Sequence, residues 1–122
     1  MWSDIYNYYN IQSDENFSRK LDKSVVVKCL LEKKLFKQTS HQSFKNTDKF
    51  PWVDIILVET NDGSFVSSDE ENQFVTLVAI VCPKGHNIDQ QIYIEEFKQI
   101  AEELNWKLYL EEDDNGIENI EL

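Results

Sequence analysis

The chain has 122 residues, 41% of them hydrophobic and 29% charged, with three glycines and two prolines; that is the length of one domain, with enough apolar residue for a core and no resemblance to a disordered or low-complexity composition. The net charge of −11 is unevenly placed: residues 1–50 carry nine Lys or Arg against six Asp or Glu (+3), and residues 51–122 carry three against seventeen (−14). A surface of that sign repels phosphate backbones and anionic lipid, which excludes direct nucleic-acid binding and a membrane-surface role, and it attracts a basic partner.

The opening MWSDIYNYYN has no basic stretch followed by an apolar one, so it is not a signal peptide. Trp2, Tyr6, Tyr8 and Tyr9 crowd it. Such a segment either docks on the core or forms a contact surface of the aromatic kind on which binding energy concentrates, and docking is the preferred reading. In SDENFSRKL, Ser13 or Asp14 is placed to cap a helix, with Phe17 and Leu21 four apart. SVVVKCLLEKKLF (24–36) is ambiguous in period. Val25, Val27, Cys29 and Leu31 alternate as a strand would, whereas Leu30, Leu31 and Leu35, with Ser24 as cap, favour a helix, the preferred reading despite three consecutive valines.

The polar stretch 38–51 ends in Pro51 and reads as a loop. WVDIILVET (52–60) is a β-branched strand that stops at Asp62-Gly63, a pair suited to a tight hairpin turn. After the acidic SSDEENQ, FVTLVAIVC (74–82) is apolar on both faces and reads as a central strand. In 90–105, Tyr93, Phe97, Ile100, Ala101 and Leu104 make one apolar helix face. WKLYLEE then alternates as a half-buried strand. The expectation is an α+β fold, a small and mainly antiparallel sheet with helices packed on one face. It forms a single domain over 1–122: a helical part about 1–37, a loop 38–51, strand–strand–helix–strand over 52–112, and an acidic tail 113–122.

The longest apolar run is too short to span a bilayer. Cys29 and Cys82 sit in apolar runs and read as buried, reduced thiols of a cytoplasmic protein. EEDDNGIENIEL resembles a calcium loop only until it is put in register. With Gly116 at the invariant glycine, the bidentate glutamate position falls on Leu122 and Glu121 is one residue early. Cys82 and His86 flank three residues, but Cys29 and His41 have no matching spacing, so no metal site is expected. No nucleophile elbow, phosphate loop, dinucleotide fingerprint or zinc-protease helix is present, so no catalytic residue and no cofactor are expected, and the chain is not read as an enzyme.

What stands out is acid at strand ends: Asp69, Glu70 and Glu71 in one loop, and Glu111, Glu112, Asp113 and Asp114 after Tyr109. With the run FPWVDIILVE … FVTLVAIVC … FKQIAEELNWKLYLEEDD, the chain resembles the small acidic immunity proteins of contact-dependent-inhibition and polymorphic-toxin systems. The resemblance covers residues 50–114 and rests on no diagnostic motif. It implies a bacterial cytoplasmic protein that binds and neutralises one cognate toxin domain, often a basic nuclease. The residues expected to meet that toxin are Asp69, Glu70, Glu71, Tyr109, Glu111, Glu112, Asp113 and Asp114. An acidic secretion chaperone and a DNA-mimic inhibitor stay open as alternatives, as does a homodimer that pairs the +3 half of one copy with the −14 half of another. Charge reversal at Glu111, Glu112 and Asp113 is expected to weaken toxin binding, and removal of Asn119–Leu122 to do little.

Overall fold

A computed structural model describes residues 6–59, 74–84, 89–112 and 115–122. Among these residues the elements run β1 (Tyr6–Gln12), β2 (Leu21–Asp22), α1 (Lys23–Glu32), β3 (Phe36–Gln38), β4 (Ser43–Asn46), β5 (Asp54–Val58), β6 (Phe74–Val75), β7 (Leu77–Pro83), α2 (Gln90–Leu104), β8 (Lys107–Glu112) and β9 (Glu118–Glu121). Seven strands form one sheet in the order β3-β4-β5-β7-β1-β8-β9, and β2 and β6 form a second, two-stranded sheet. Among the described residues the strand pairings are all antiparallel, so the α+β class holds.

β7 is the fourth strand of seven, as its two-sided apolar pattern predicts: Leu77, Val78, Ala79, Ile80 and Cys82 are buried. One sheet face carries Phe44, Ile55, Leu57, Val78, Ile80, Tyr9, Ile11 and Leu108, and these pack with Val26 and Leu30 of α1 and with the apolar stripe of α2. The opposite face carries a smaller cluster of Val58, Leu77 and Ala79, against which Phe17 and Ile56 pack.

The N-terminal third departs from expectation. Residues 6–12 are not helical but form an inner strand, with Tyr9 opposite Ile80 on one side and Leu110 on the other. The docking reading of the aromatics therefore holds for Tyr9, 2% exposed, whereas Tyr6 and Tyr8 alternate to the other face. Nor does a helix form after Ser13. Asp14 does act as a cap, its Oδ1 accepting from the N–H groups of Asn16 (2.9 Å) and Ser18 (3.1 Å), and its other oxygen from the Ser18 hydroxyl. Phe17 then turns to φ 54, in the left-handed region, and ends the turn. Short polar side chains that bond to nearby backbone offer an alternative to the helix, and here the alternative wins.

The 24–36 segment is a helix only to Glu32. It starts one residue before Ser24, with Asp22 at the cap position, and three valines are tolerated because Val26 and Leu30, one turn apart, are fully buried. Burial of an apolar stripe outweighs intrinsic propensity. Lys34 at φ 60 ends the helix, and Phe36 starts β3.

The loop expected over 38–51 contains β4. Phe44 is buried while Ser43, Lys45 and Asn46 are half-buried, a four-residue strand too short and too polar for its alternation to stand out. Asn46 then organises the turn into β5. Its Nδ2 donates to the carbonyls of Thr47 (3.0 Å) and Phe50 (3.2 Å), and its Oδ1 accepts from Val53 N–H (3.2 Å). That turn sets Phe50 edge-on to Phe36 (5.4 Å) and Tyr93 (5.5 Å). Replacing Asn46 with Ala removes all three bonds and is expected to cost about 2 kcal/mol. A fall in the urea midpoint at constant slope is the readout.

α2 is the predicted helix almost to the residue. Asp89 caps it by accepting from Gln91 N–H at 3.0 Å. Asn105 closes it at φ 58, with Asn105 N–H on Glu102 O and Trp106 N–H on Ala101 O, a Schellman end that delivers Trp106 to the core. The segment 113–122, expected as a tail, includes β9. Gly116 at φ 81 lies in the turn from β8, Ile120 pairs with Leu110, and Leu122 N–H bonds to Leu108 O at 2.8 Å.

Candidate functional site

The β8–β9 hairpin is the acidic edge of the large sheet. Glu111 and Glu112 end β8, and Glu118 and Glu121 bracket β9; all four are exposed. The registers Tyr109↔Glu121 and Glu112↔Glu118 fix which acid faces which. Glu112 and Glu118 continue the side that Leu108 and Leu110 take toward the helices, while Glu111 and Glu121 follow Tyr109 to the other. The Glu111 carboxyl is raised above its ordinary value by burial and then by the charges of Glu112 and Glu118. Lys107 meets Glu121 at 3.5 Å, both side chains about half exposed.

Tyr109 supports the hairpin from beneath. It is 5% exposed, and its phenol is raised by burial first and then by Glu121, with smaller contributions from Glu15 and Asp14. The influence of those two acids brings the 13–20 loop to the same edge. Asp69, Glu70, Glu71, Asp113 and Asp114 lie outside the described residues, as do the Asp62-Gly63 turn and His86. Sequence reasoning missed Glu118 and Glu121 by assigning them to a tail. The signal available was ENIE itself, a short alternating stretch after an Asn-Gly pair.

A second charged cluster joins the helices. Lys33 Nζ lies 3.0 Å from Glu103 and 3.6 Å from Glu96. The thiol of Cys29 donates to the other Glu103 oxygen at 3.1 Å. Burial raises the Glu96 carboxyl against the pull of Lys33, and its Oε2 is buried at ion-pair distance without a hydrogen bond. Hydrogen bonds from Cys29 and Lys33 lower the Glu103 carboxyl, and burial together with Glu103 pushes the Cys29 thiol up to about 12. A thiol so protonated is a poor nucleophile. Cys29 is half-buried and Cys82 fully buried, and both are free thiols.

A shallow pocket of about 110 Å³ lies between the end of α2 and the hairpin, lined by Lys98, Glu102, Trp106, Lys107, Glu121 and Leu122 among others. Glu96, the described α2 carboxyl raised by burial, is not among its lining residues. Among the described residues no group of three or more His, Cys, Asp and Glu is placed to hold a metal, and no helix is long and apolar enough to cross a membrane. Comparison with protein-family models, curated proteins and solved structures gives no match.

Proposed function

We propose that the chain is an immunity protein, which binds a basic toxin domain such as a nuclease in the cytoplasm and neutralises it without chemistry of its own. The observation that supports this reading is the strand-borne acidic edge: Glu111, Glu112, Glu118 and Glu121 project from paired backbone on both sides of one hairpin. Carboxylates carried on paired strands need no backbone ordering on binding, so the entropy lost when a cationic surface arrives is confined to their side chains. Their summed field raises the encounter rate with such a surface by about 10- to 1000-fold at low salt, and counter-ions screen it beyond about 8 Å at physiological salt.

The test is co-purification with the toxin domain encoded beside this chain. Lysine at both Glu112 and Glu118 is expected to weaken that complex about 10- to 100-fold, with the association rate losing most of its salt dependence. Unchanged affinity, or a neighbouring gene whose product is no toxin and does not bind, would end the reading. Removal of Asn119–Leu122 was expected to do little on the sequence alone. Because those residues carry most of β9 and the Leu122–Leu108 hydrogen bond, the truncation is now expected to unseat Glu118 and to weaken the complex as well.

A further inference from the structure

We propose that the face of the large sheet opposite α1 and α2 is a self-association surface, on which a second copy of the chain packs about a two-fold axis running along β7. Strand register sets one row of side chains across this face. Lys45 of β4 lies opposite Asp54 of β5, Asp54 opposite Val81 of β7, and Val81 opposite Tyr8 of β1. The β1–β8 ladder, in which Tyr9 meets Leu110, sets Glu111 one step further on, beside Tyr8. The row therefore reads Lys45, Asp54, Val81, Tyr8, Glu111, with β7 in the middle; Lys45 and Asp54 form an ion pair at 3.5 Å at one end, and Glu111 stands at the other.

A two-fold axis along the central strand exchanges β4 with β8 and β5 with β1. Lys45 of one copy then faces Glu111 of the second, Asp54 faces the Tyr8 phenol, and Val81 faces itself. Each contact occurs twice, as an isologous interface requires. Charge also selects this axis over the other face-to-face arrangement. An axis across the strands would set Lys45 over Lys45 and Glu111 over Glu111, and like charges directly opposed are destabilising. The row beside it supplies apolar area: the rings of Tyr6 and Trp52 are 6.0 Å apart, Trp52 is 40% exposed, and Lys45 lies 5.3 Å from the Trp52 ring. An aromatic centre with a charged rim is the composition of an interface. Phe17 packs on this face against Val58, Leu77 and Ala79 in other rows, and Gln12 and Tyr109 on the same face are buried. The axis leaves Glu112 and Glu118, on the helix side of the hairpin, turned away from the second copy, whereas Glu111 and Glu121 lie on the shared face, so a dimer leaves two of the four acids free for a toxin.

Sedimentation velocity of the purified full chain, from micromolar to sub-millimolar concentration, is the test. The expected result is a concentration-dependent shift from 14.4 kDa toward twice that mass, weakened by added salt. Lys45→Glu alone and Glu111→Lys alone should each weaken the dimer about tenfold. Mixing the two single variants should restore it, because the two reversed charges then meet each other at one contact and the original Lys45–Glu111 pair remains at the other. Circular dichroism of each variant establishes that both remain folded before they are mixed. A monomer at every concentration would overturn the proposal, and so would a dimer that both variants retain or one that mixing fails to restore.

Discussion

Phe97→Ala is expected to lower the unfolding free energy by about 4 kcal/mol. Phe97 is fully buried on α2, and its ring lies 5.6 Å from Tyr9, 5.9 Å from Tyr93 and 6.3 Å from Phe50. It therefore ties the helix to the inner strand β1 and to the turn that Asn46 holds. The loss combines the transfer energy of the ring with the cavity left among three aromatics that are themselves anchored. The hydroxyl of Tyr93 donates to Trp52 O at 2.8 Å and that of Tyr9 to Gln90 at 3.0 Å, so neither ring is free to collapse inward. Domains of this size hold about 5–15 kcal/mol in total, so the variant should be partly unfolded at modest urea concentration. Phe97→Leu keeps most of the volume and should cost no more than about 1.5 kcal/mol. Equal losses for the two variants would mean that the ring cluster is not what joins α2 to the sheet.

The residues that made α2 legible in the sequence are the ones that bury it: Tyr93, Phe97, Ile100, Ala101 and Leu104. β7 and β8 were legible for the same reason, since burial of one or both faces writes itself into hydropathy. β1 was not. Its place depends on pairing with Leu77–Pro83 and with Lys107–Leu110, partners about 70 and 100 residues away, and nothing local to YNYYNIQ separates an inner strand from a docked terminus. Asp14 misled more specifically, because an aspartate that accepts from the next backbone N–H groups looks the same whether a helix or a single turn follows. The acidic site was half legible. Glu111 and Glu112 sit on a strand with clear alternation, whereas Glu118 and Glu121 sit on a four-residue edge strand whose exposed positions resemble a solvated tail. Asp14 and Glu15 join that edge only through the path of the 13–20 loop.

The cluster at the helix contact gives the second large effect. Lys33→Ala is expected to cost about 3 kcal/mol at neutral pH, the low end of the range for removing one partner of a buried pair, because Glu103 is half exposed. The reason lies with Glu96, whose side chain is 15% exposed and whose Oε2 has the Lys33 ammonium as its counter-charge. Without that ammonium the carboxylate is left charged in a poorly solvated site or must take up a proton. The pH dependence follows from the shifts. The raised carboxyl of Glu96 contributes stability that is complete below its ordinary value of 4.5 and is lost as pH rises through the folded value. The lowered carboxyl of Glu103 acts oppositely: its contribution is present above 4.5 and is lost as pH falls through its folded value. Lys33 itself is lowered by burial and raised by more through Glu103 and Glu96, so its contribution disappears only in alkali, above the ordinary 10.5. Removing Lys33 should therefore matter most where Glu96 is ionised. The difference between wild type and Lys33→Ala in urea melts should narrow as pH falls from 8 toward 4.5, where a protonated Glu96 needs no counter-ion. Adding Glu96→Gln to Lys33→Ala should recover most of the loss at pH 8 and little at pH 4.5. A loss that is constant with pH, or one that Glu96→Gln leaves in place, would mean that Lys33 stabilises the helix contact through its packed aliphatic stem rather than through its charge.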